Sequence, residues 1–280
     1  MRFGAPVFVD SRDPAVLVEA HKKKGFTAAY CPGGITAQDP DARLDEVKQA
    51  FAEADIVIAE VGAWCNCLDP NPEARERNIT YVIDQLALAE KIGARCCVDY
   101  SGSFSPDHPA GPHPDDLSER AFELVVANTQ RIIDAVDPQS TYFTLEMMQW
   151  AWPDSPDAYL DLIEAVDRDA FAVHFDPVNL VRSPRHYYEN GKLIEECVLK
   201  LGDFIRSVHG KDCIMSDQYL VHITECPAGT GRLDYATLLR ELDRLPQDVP
   251  LMLEHLASED EYDQAAAYVR SVAEEVGVEL

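Results

Sequence analysis

The amino-acid sequence predicts an α/β protein built as a single (β/α)8 barrel. Two patterns and one absence carry that expectation. Short apolar runs alternate with longer helical patterns eight times over. The runs are apolar throughout, as expected of parallel strands covered by helices on the outside. The turn after the first run, Asp10-Ser11-Arg12-Asp13, lacks the Gly-x-Gly-x-x-Gly signature that an open doubly wound sheet would want. Eight such units fit in 280 residues, 46% of them hydrophobic, with no linker and no sign of a second domain, so residues 1–280 read as one barrel domain.

Residues 5–9 read as the first strand. Asp13 or Ser11 can cap a helix that runs to Lys24 and ends at Gly25. Residues 27–31 give the second strand, closed by Pro32-Gly33-Gly34, and 41–54 a helix with Leu44, Val47, Ala50 and Phe51 on one side. The third strand, 56–62, leads to Trp64. Asn71-Pro72-Glu73 opens a helix, proline suiting its first turn, and Gly93 ends it. After the fourth strand, 96–100, the segment 101–114 is rich in proline and histidine. It is too long for a plain connection and is a candidate lid or binding loop, with His108 and His113 on its surface. A helix 118–136, a fifth strand 142–148 and a helix 155–166 follow. The sixth strand begins at Phe171 and stops at Pro177, which has no amide hydrogen to give a ladder. Residues 184–201 are largely helical with a break at Asn190-Gly191. The seventh strand and its exit span 205–212, a loop 213–232, a helix 233–245 and the eighth strand 250–256. The last helix starts at Ser258 or Glu259.

Composition narrows the function. Net charge is −26, which repels phosphate backbones and argues against nucleic acid as a partner. No apolar run approaches the roughly 20 residues that cross a bilayer, and the amino terminus is too soon charged for a signal peptide, so a cytoplasmic protein without membrane contact is expected. The eight cysteines form no Cys-x-x-Cys pair, and Cys65 and Cys67 lack zinc-site spacing. All eight read as reduced thiols.

The last four strands each end on a polar residue: Glu146, Asp176, His209 and Glu254. In a barrel of this kind chemistry gathers where strands end and loops begin. Adjacent strands lie about 4.8 Å apart, so these four side chains can converge inside one mouth. Three carboxylates gathered without a cation would repel one another. Carboxylate-rich donor sets with one imidazole suit hard divalent ions rather than structural zinc.

With these residues in place, the chain resembles the sugar phosphate isomerase/epimerase superfamily, the xylose isomerase-like TIM barrels. That group includes ketose 3-epimerases, hydroxypyruvate isomerase and inosose dehydratase. The resemblance spans nearly the whole chain. It rests on Glu146 in Thr144-Leu145-Glu146, Asp176 in His174-Phe175-Asp176-Pro177, and His209 in Val208-His209-Gly210-Lys211-Asp212. Glu254 in Leu253-Glu254 and the turn with Gly229, Gly231 and Asp234 complete it. It implies one divalent ion held by Glu146, Asp176, His209 and Glu254. Mn2+ leads, with Mg2+, Co2+, Fe2+ or Zn2+ as the others. One departure stands out: ketose 3-epimerases usually carry a substrate-binding histidine three residues after the metal aspartate, and this chain has Asn179, which cannot carry a charge.

The expected chemistry is abstraction of a proton next to a carbonyl in a sugar or polyol-like keto compound, through a metal-stabilised enediolate, with Glu146 and Glu254 as acid and base. Proton return gives an epimer or an isomer, and loss of a β-hydroxyl gives dehydration of an inosose-like keto-polyol. Trp64, Trp150, His174, Asn179 and Lys211 are the candidate substrate contacts. His174 points the same way as Asp176, one layer deeper. Lys211 is expected to pair with Asp212 or bind an oxyanion, and His255 to face the helices. A metal-dependent endonuclease would want more histidines and a basic groove. A catalytically silent sugar-binding barrel would not need Glu146 and Glu254. Pairing into a homo-oligomer has no handle in the sequence.

Overall fold

The computed structural model describes residues Met1–Leu280. Its strands in chain order are β1 (Arg2–Gly4), β2 (Ala28–Tyr30), β3 (Val57–Gly62), β4 (Cys96–Asp99), β5 (Tyr142–Glu146), β6 (Phe171–Phe175), β7 (Ile205–Gly210), β8 (Asp212–Met215), β9 (Ile223–Cys226) and β10 (Pro250–Leu253). All but β8 and β9 close into one parallel barrel, with β10 pairing on one side with β7 and on the other with β1. The helices are α1 (Pro14–Lys24), α2 (Asp41–Glu53), α3 (Pro72–Ile92), α4 (Glu119–Val136), α5 (Pro156–Val166), α6 (Pro184–Tyr188), α7 (Asn190–Leu201), α8 (Tyr235–Asp243) and α9 (Glu259–Val276). None is long and apolar enough to cross a membrane.

The helix starts follow from their caps. The side chains of Asp13, Asn71, Ser118, Ser155, Ser183, Asp234 and Ser258 each accept an amide of the first turn, a contact worth about 1 kcal/mol apiece. Leu44, Val47 and Phe51 of α2 and Ile79, Val82 and Leu86 of α3 are buried against the outer strand faces in the main apolar cluster. Inside the barrel, Ala28, Ala59 and Met252 form a small cluster with Tyr30.

Four expectations are corrected. The first strand is Arg2–Gly4, not 5–9: Pro6 interrupts the apolar run, whereas Arg2, Phe3 and Gly4 pair with Pro250, Leu251 and Met252. The helices number nine, because 184–201 divides at Glu189 into α6 and α7. The loop 213–232 is in large part an antiparallel hairpin of β8 and β9, whose partly exposed strands offered no apolar run to read. The eighth strand stops at Leu253, short of residue 256.

One register shift bears on function. Along β2 and β3, Ala29 pairs with Ile58 but Tyr30 pairs with Glu60, leaving Ala59 unmatched. A shift of one residue changes which face a side chain takes. Here it accompanies a glutamate aimed into the barrel.

Candidate metal centre

Glu146 is the last residue of β5, Asp176 and Glu254 follow β6 and β10 directly, and His209 is one residue from the end of β7. These strands are neighbours in the barrel. The donor atoms of the four residues lie within 4.8 Å of one another, and all four residues are buried. His209 Nδ1 is 2.8 Å from Glu146 Oε1, 3.0 Å from Glu254 Oε2 and 4.0 Å from Asp176 Oδ2.

Local sequence explains the aim of each group. Pro177 ends β6, and Asp176 Oδ1 accepts the amides of Val178 at 2.9 Å and Asn179 at 3.2 Å, starting a single 3-10 turn. That leaves Oδ2 for the cluster. Beneath it, Tyr159 of α5 is fully buried. Its hydroxyl accepts the Leu145 amide at 3.0 Å and lies 2.8 Å from the carbonyls of both Leu145 and Ala172, tying β5 to β6.

Carboxylates outnumber cations here. Lys211, 3% exposed, brings its Nζ to 2.8 Å from Asp176 Oδ2, 2.7 Å from Glu254 Oε1 and 3.3 Å from Glu225. Despite that closeness, Asp176 Oδ2 and Glu254 Oε1 accept no well-directed hydrogen bond. Burial, with Glu146 and Glu254 nearby, lifts the Asp176 carboxyl to about 6 against the pull of Lys211. Burial also opposes charge on His209, but Glu60, Glu254 and Glu146 outweigh it and hold its pKa well above the usual value. Three buried carboxylates around one imidazole, with Lys211 as the other cation beside them, fit a divalent ion of the Mn2+ or Mg2+ kind, which would supply further positive charge.

A second layer lies deeper. Glu60 of β3 is 1% exposed. Its Oε1 accepts from Ser207 Oγ at 3.0 Å, and its Oε2 is 3.2 Å from His209 Nε2 and 3.4 Å from His174 Nε2. His174 therefore sits below Asp176 as its spacing implied, fully buried and edge-on to His209 with ring centroids 4.1 Å apart. Glu60 is not among the residues that end an apolar run. The available signal was a lone carboxylate inside the otherwise apolar run Ile56-Val57-Ile58-Ala59-Glu60-Val61, which a buried strand tolerates only with partners.

The rim is mixed. Trp64, 41% exposed, lies with its ring 6.1 Å from that of His209 and stacks on Tyr100. Gly62 makes room for it: a Cβ there would meet Trp64 Nε1 at 2.2 Å. A cavity of about 390 Å³ runs from Glu60 past Tyr30 and Trp64 to the loop after β2. Trp150 instead packs on Gly111 and donates to the Ala110 carbonyl, holding the long fourth loop. Asn179 donates its side-chain amide to the Met147 carbonyl at 3.1 Å.

Two expectations about side chains are overturned. Lys211 does not pair with Asp212; neighbours on an extended segment point to opposite sides. Asp212 accepts the amides of Cys213, Gly229, Gly231 and Leu233 instead, organising the loop before α8. His255 does not face the helices. Its backbone is left-handed, φ 58°, and its ring turns over the mouth, 3.0 Å from Glu225 and 3.5 Å from Glu254.

The fold and this cluster define a barrel with a candidate divalent-metal centre at its mouth. The profile of the xylose isomerase-like TIM barrel family matches residues 18–272, and the chain belongs to that family. None of the curated proteins matches it. Among solved structures, D-psicose 3-epimerase from Clostridium cellulolyticum H10 is 15% identical, with a TM-score of 0.70 over 99% of this chain and 100% of that one. The probable 3-DHS dehydratase of petrobactin synthesis from Bacillus anthracis is 15% identical, with a TM-score of 0.70 over 98% and 99%. A xylose isomerase-like TIM barrel protein from Mycobacterium smegmatis in complex with magnesium is 18% identical, with a TM-score of 0.65 over 94% and 87%.

Proposed function

We propose that this protein is a divalent-metal-dependent isomerase or epimerase of a sugar or polyol-like keto compound, with Glu146, Asp176, His209 and Glu254 as the metal ligands. The observation that carries the reading is the meeting of those four buried donors, three carboxylates and one imidazole, from four neighbouring strands. Mn2+ is the proposed ion. When bound, it would polarise a substrate carbonyl so that the adjacent C–H becomes acidic.

The chain's own groups then move the proton. Glu146 and Glu254 flank His209 from β5 and β10 and are 7% and 8% exposed. For an epimer, one acts as carboxylate and removes the substrate proton while the other, as carboxylic acid, delivers its own proton to the opposite face. For an isomer, the group that took the proton gives it to the neighbouring carbon. Lys211, between Asp176 and Glu254, is placed to meet an oxyanion, and Trp64 to stack on a C–H face of the sugar. His174 and Asn179 are assigned as contacts that act from beneath and beside the ligand Asp176. The epimerase and the dehydratase among the similar structures support the substrate class.

A second reading, dehydration of an inosose-like keto-polyol, is favoured by His255. The Glu225 carboxylate raises its pKa, and the ring overhangs the mouth, where an imidazolium could protonate a departing hydroxyl. Reaction of the Mn2+-loaded protein in deuterated water with ketoses, inososes and keto-glycosides tests both. An epimer or isomer carrying deuterium beside its carbonyl supports the first reading, and a product lighter by one water supports the second. No exchange into any of them contradicts the proton-abstraction scheme.

A further inference from the structure

We propose that Glu60 is the positioning residue for His209. By accepting a hydrogen bond from Nε2, it fixes the imidazole as the tautomer whose Nδ1 lone pair faces Glu146, Asp176 and Glu254. The inference rests on the metal centre proposed above.

The two nitrogens of His209 look into different surroundings. Nδ1 is within 4.0 Å of the three carboxylates of the cluster, whereas Nε2 points to Glu60 Oε2 at 3.2 Å. Ionised carboxylates only accept hydrogen bonds, and both nitrogens face them, Nδ1 at 2.8 Å from Glu146 and Nε2 at 3.2 Å from Glu60, so without an ion both can donate. An ion held by Glu146, Asp176 and Glu254 would displace the hydrogen of Nδ1 alone, and Glu60 then keeps the remaining N–H on Nε2, leaving the Nδ1 lone pair where the ion would need it. Glu60 is itself held in place. Ser207, two residues before His209 on the same face of β7, donates to Oε1 at 3.0 Å. Trp64 above the imidazole and His174 against its edge limit ring rotation. The contact spans the barrel interior from β3 to β7, and the unmatched Ala59 accompanies the inward turn of Glu60.

Glu60, His174 and His209 also lie close enough together to hold a cation of their own. His209 could serve two ions only as an imidazolate, stripped of both ring protons. Ser207 already engages the other Glu60 oxygen. The contact is therefore a hydrogen bond, and one ion per chain is expected.

The test is Mn2+ titration of the metal-free full chain, followed by electron paramagnetic resonance and calorimetry. It is paired with nitrogen-15 spectra of histidine in the Mg2+-loaded wild type. Wild type should bind one ion. Glu60→Leu should weaken binding by about 10–100-fold. Glu60→Gln, which keeps an acceptor oxygen, should recover most of that loss. The spectra should show the hydrogen of His209 on Nε2. Unchanged Mn2+ affinity in a folded Glu60→Leu, a hydrogen on Nδ1, or two bound ions would each overturn the role of Glu60 while leaving the metal centre standing. Absence of any bound ion in wild type would remove both. If Glu60→Leu does not fold, the tautomer in wild type decides.

Discussion

Glu60 and Asp99 stand on adjacent strands, each 1% exposed, yet their surroundings move their pKa values in opposite directions. Glu60 looks into the barrel. Burial works against its charge, but His209 and His174 prevail and hold its pKa far below the usual range. Asp99 looks outward, into the narrow space lined by Cys67 and by Val125, Asn128 and Ile132 of α4. It accepts the amides of Cys65 at 2.8 Å and Tyr100 at 3.0 Å and meets no cation, and burial pushes its pKa well above the ordinary value. The barrel mouth supports charge because counter-charges converge there from several strands. In the layer between strands and helices no cation meets Asp99, and burial disfavours its charge. Ionic chemistry is thereby confined to one side of the strands.

The sharpest way to break this contrast is to neutralise the interior carboxylates. Glu146→Gln and Glu254→Gln should each cut solvent-deuterium exchange into substrate by about 100-fold or more, the usual weight of a general acid or base. Exchange at wild-type rate in either variant would remove that residue from the chemistry. Next comes Lys211→Met, which leaves Asp176 and Glu254 buried without their ammonium. Urea unfolding of the metal-free variant should show a loss of about 3–5 kcal/mol, the cost of breaking a buried pair. Added Mn2+ should offset a large part of it, because the ion supplies the same charge. Third, Mn2+ at about 100 times its Kd should stabilise the wild type by about 2.7 kcal/mol. The gain should be abolished in Asp176→Asn and retained in Asp99→Asn.

The smallest effect concerns Asp99 alone. Native Asp99 holds its proton more tightly than the unfolded chain does. Above the ordinary carboxylate range, near pH 4, the native state therefore binds more protons, and this group's contribution to stability falls as pH rises. Asp99→Asn has no such proton to lose, so denaturant unfolding across pH 4 to 7 should show a flatter decline than wild type. An identical decline would mean that burial does not raise the Asp99 pKa.

The same contrast explains what could be read from the sequence. Glu146, Asp176, His209 and Glu254 were legible because each ends an apolar run, where a polar side chain has no structural excuse. Glu60 lies inside such a run, and its inward aim depends on a register shift that alternation along one strand does not reveal. Alternation carried two residues past the end of β10 misplaces His255, because a left-handed backbone ends it there. The pairing of Lys211 with Asp212 read adjacency in sequence as adjacency in space, whereas Asp212 serves amides up to 21 positions away. The hairpin of β8 and β9 escaped notice because much of it is solvent-facing, with Ile214, Leu220 and Val221 exposed.

Anomalous diffraction from a crystal grown with Mn2+ tests the central claim most directly. The account predicts one manganese peak per chain, about 2.0–2.3 Å from an oxygen of Glu146, Asp176 and Glu254 and from Nδ1 of His209. No peak at the mouth, or a peak bound by other residues, would contradict it.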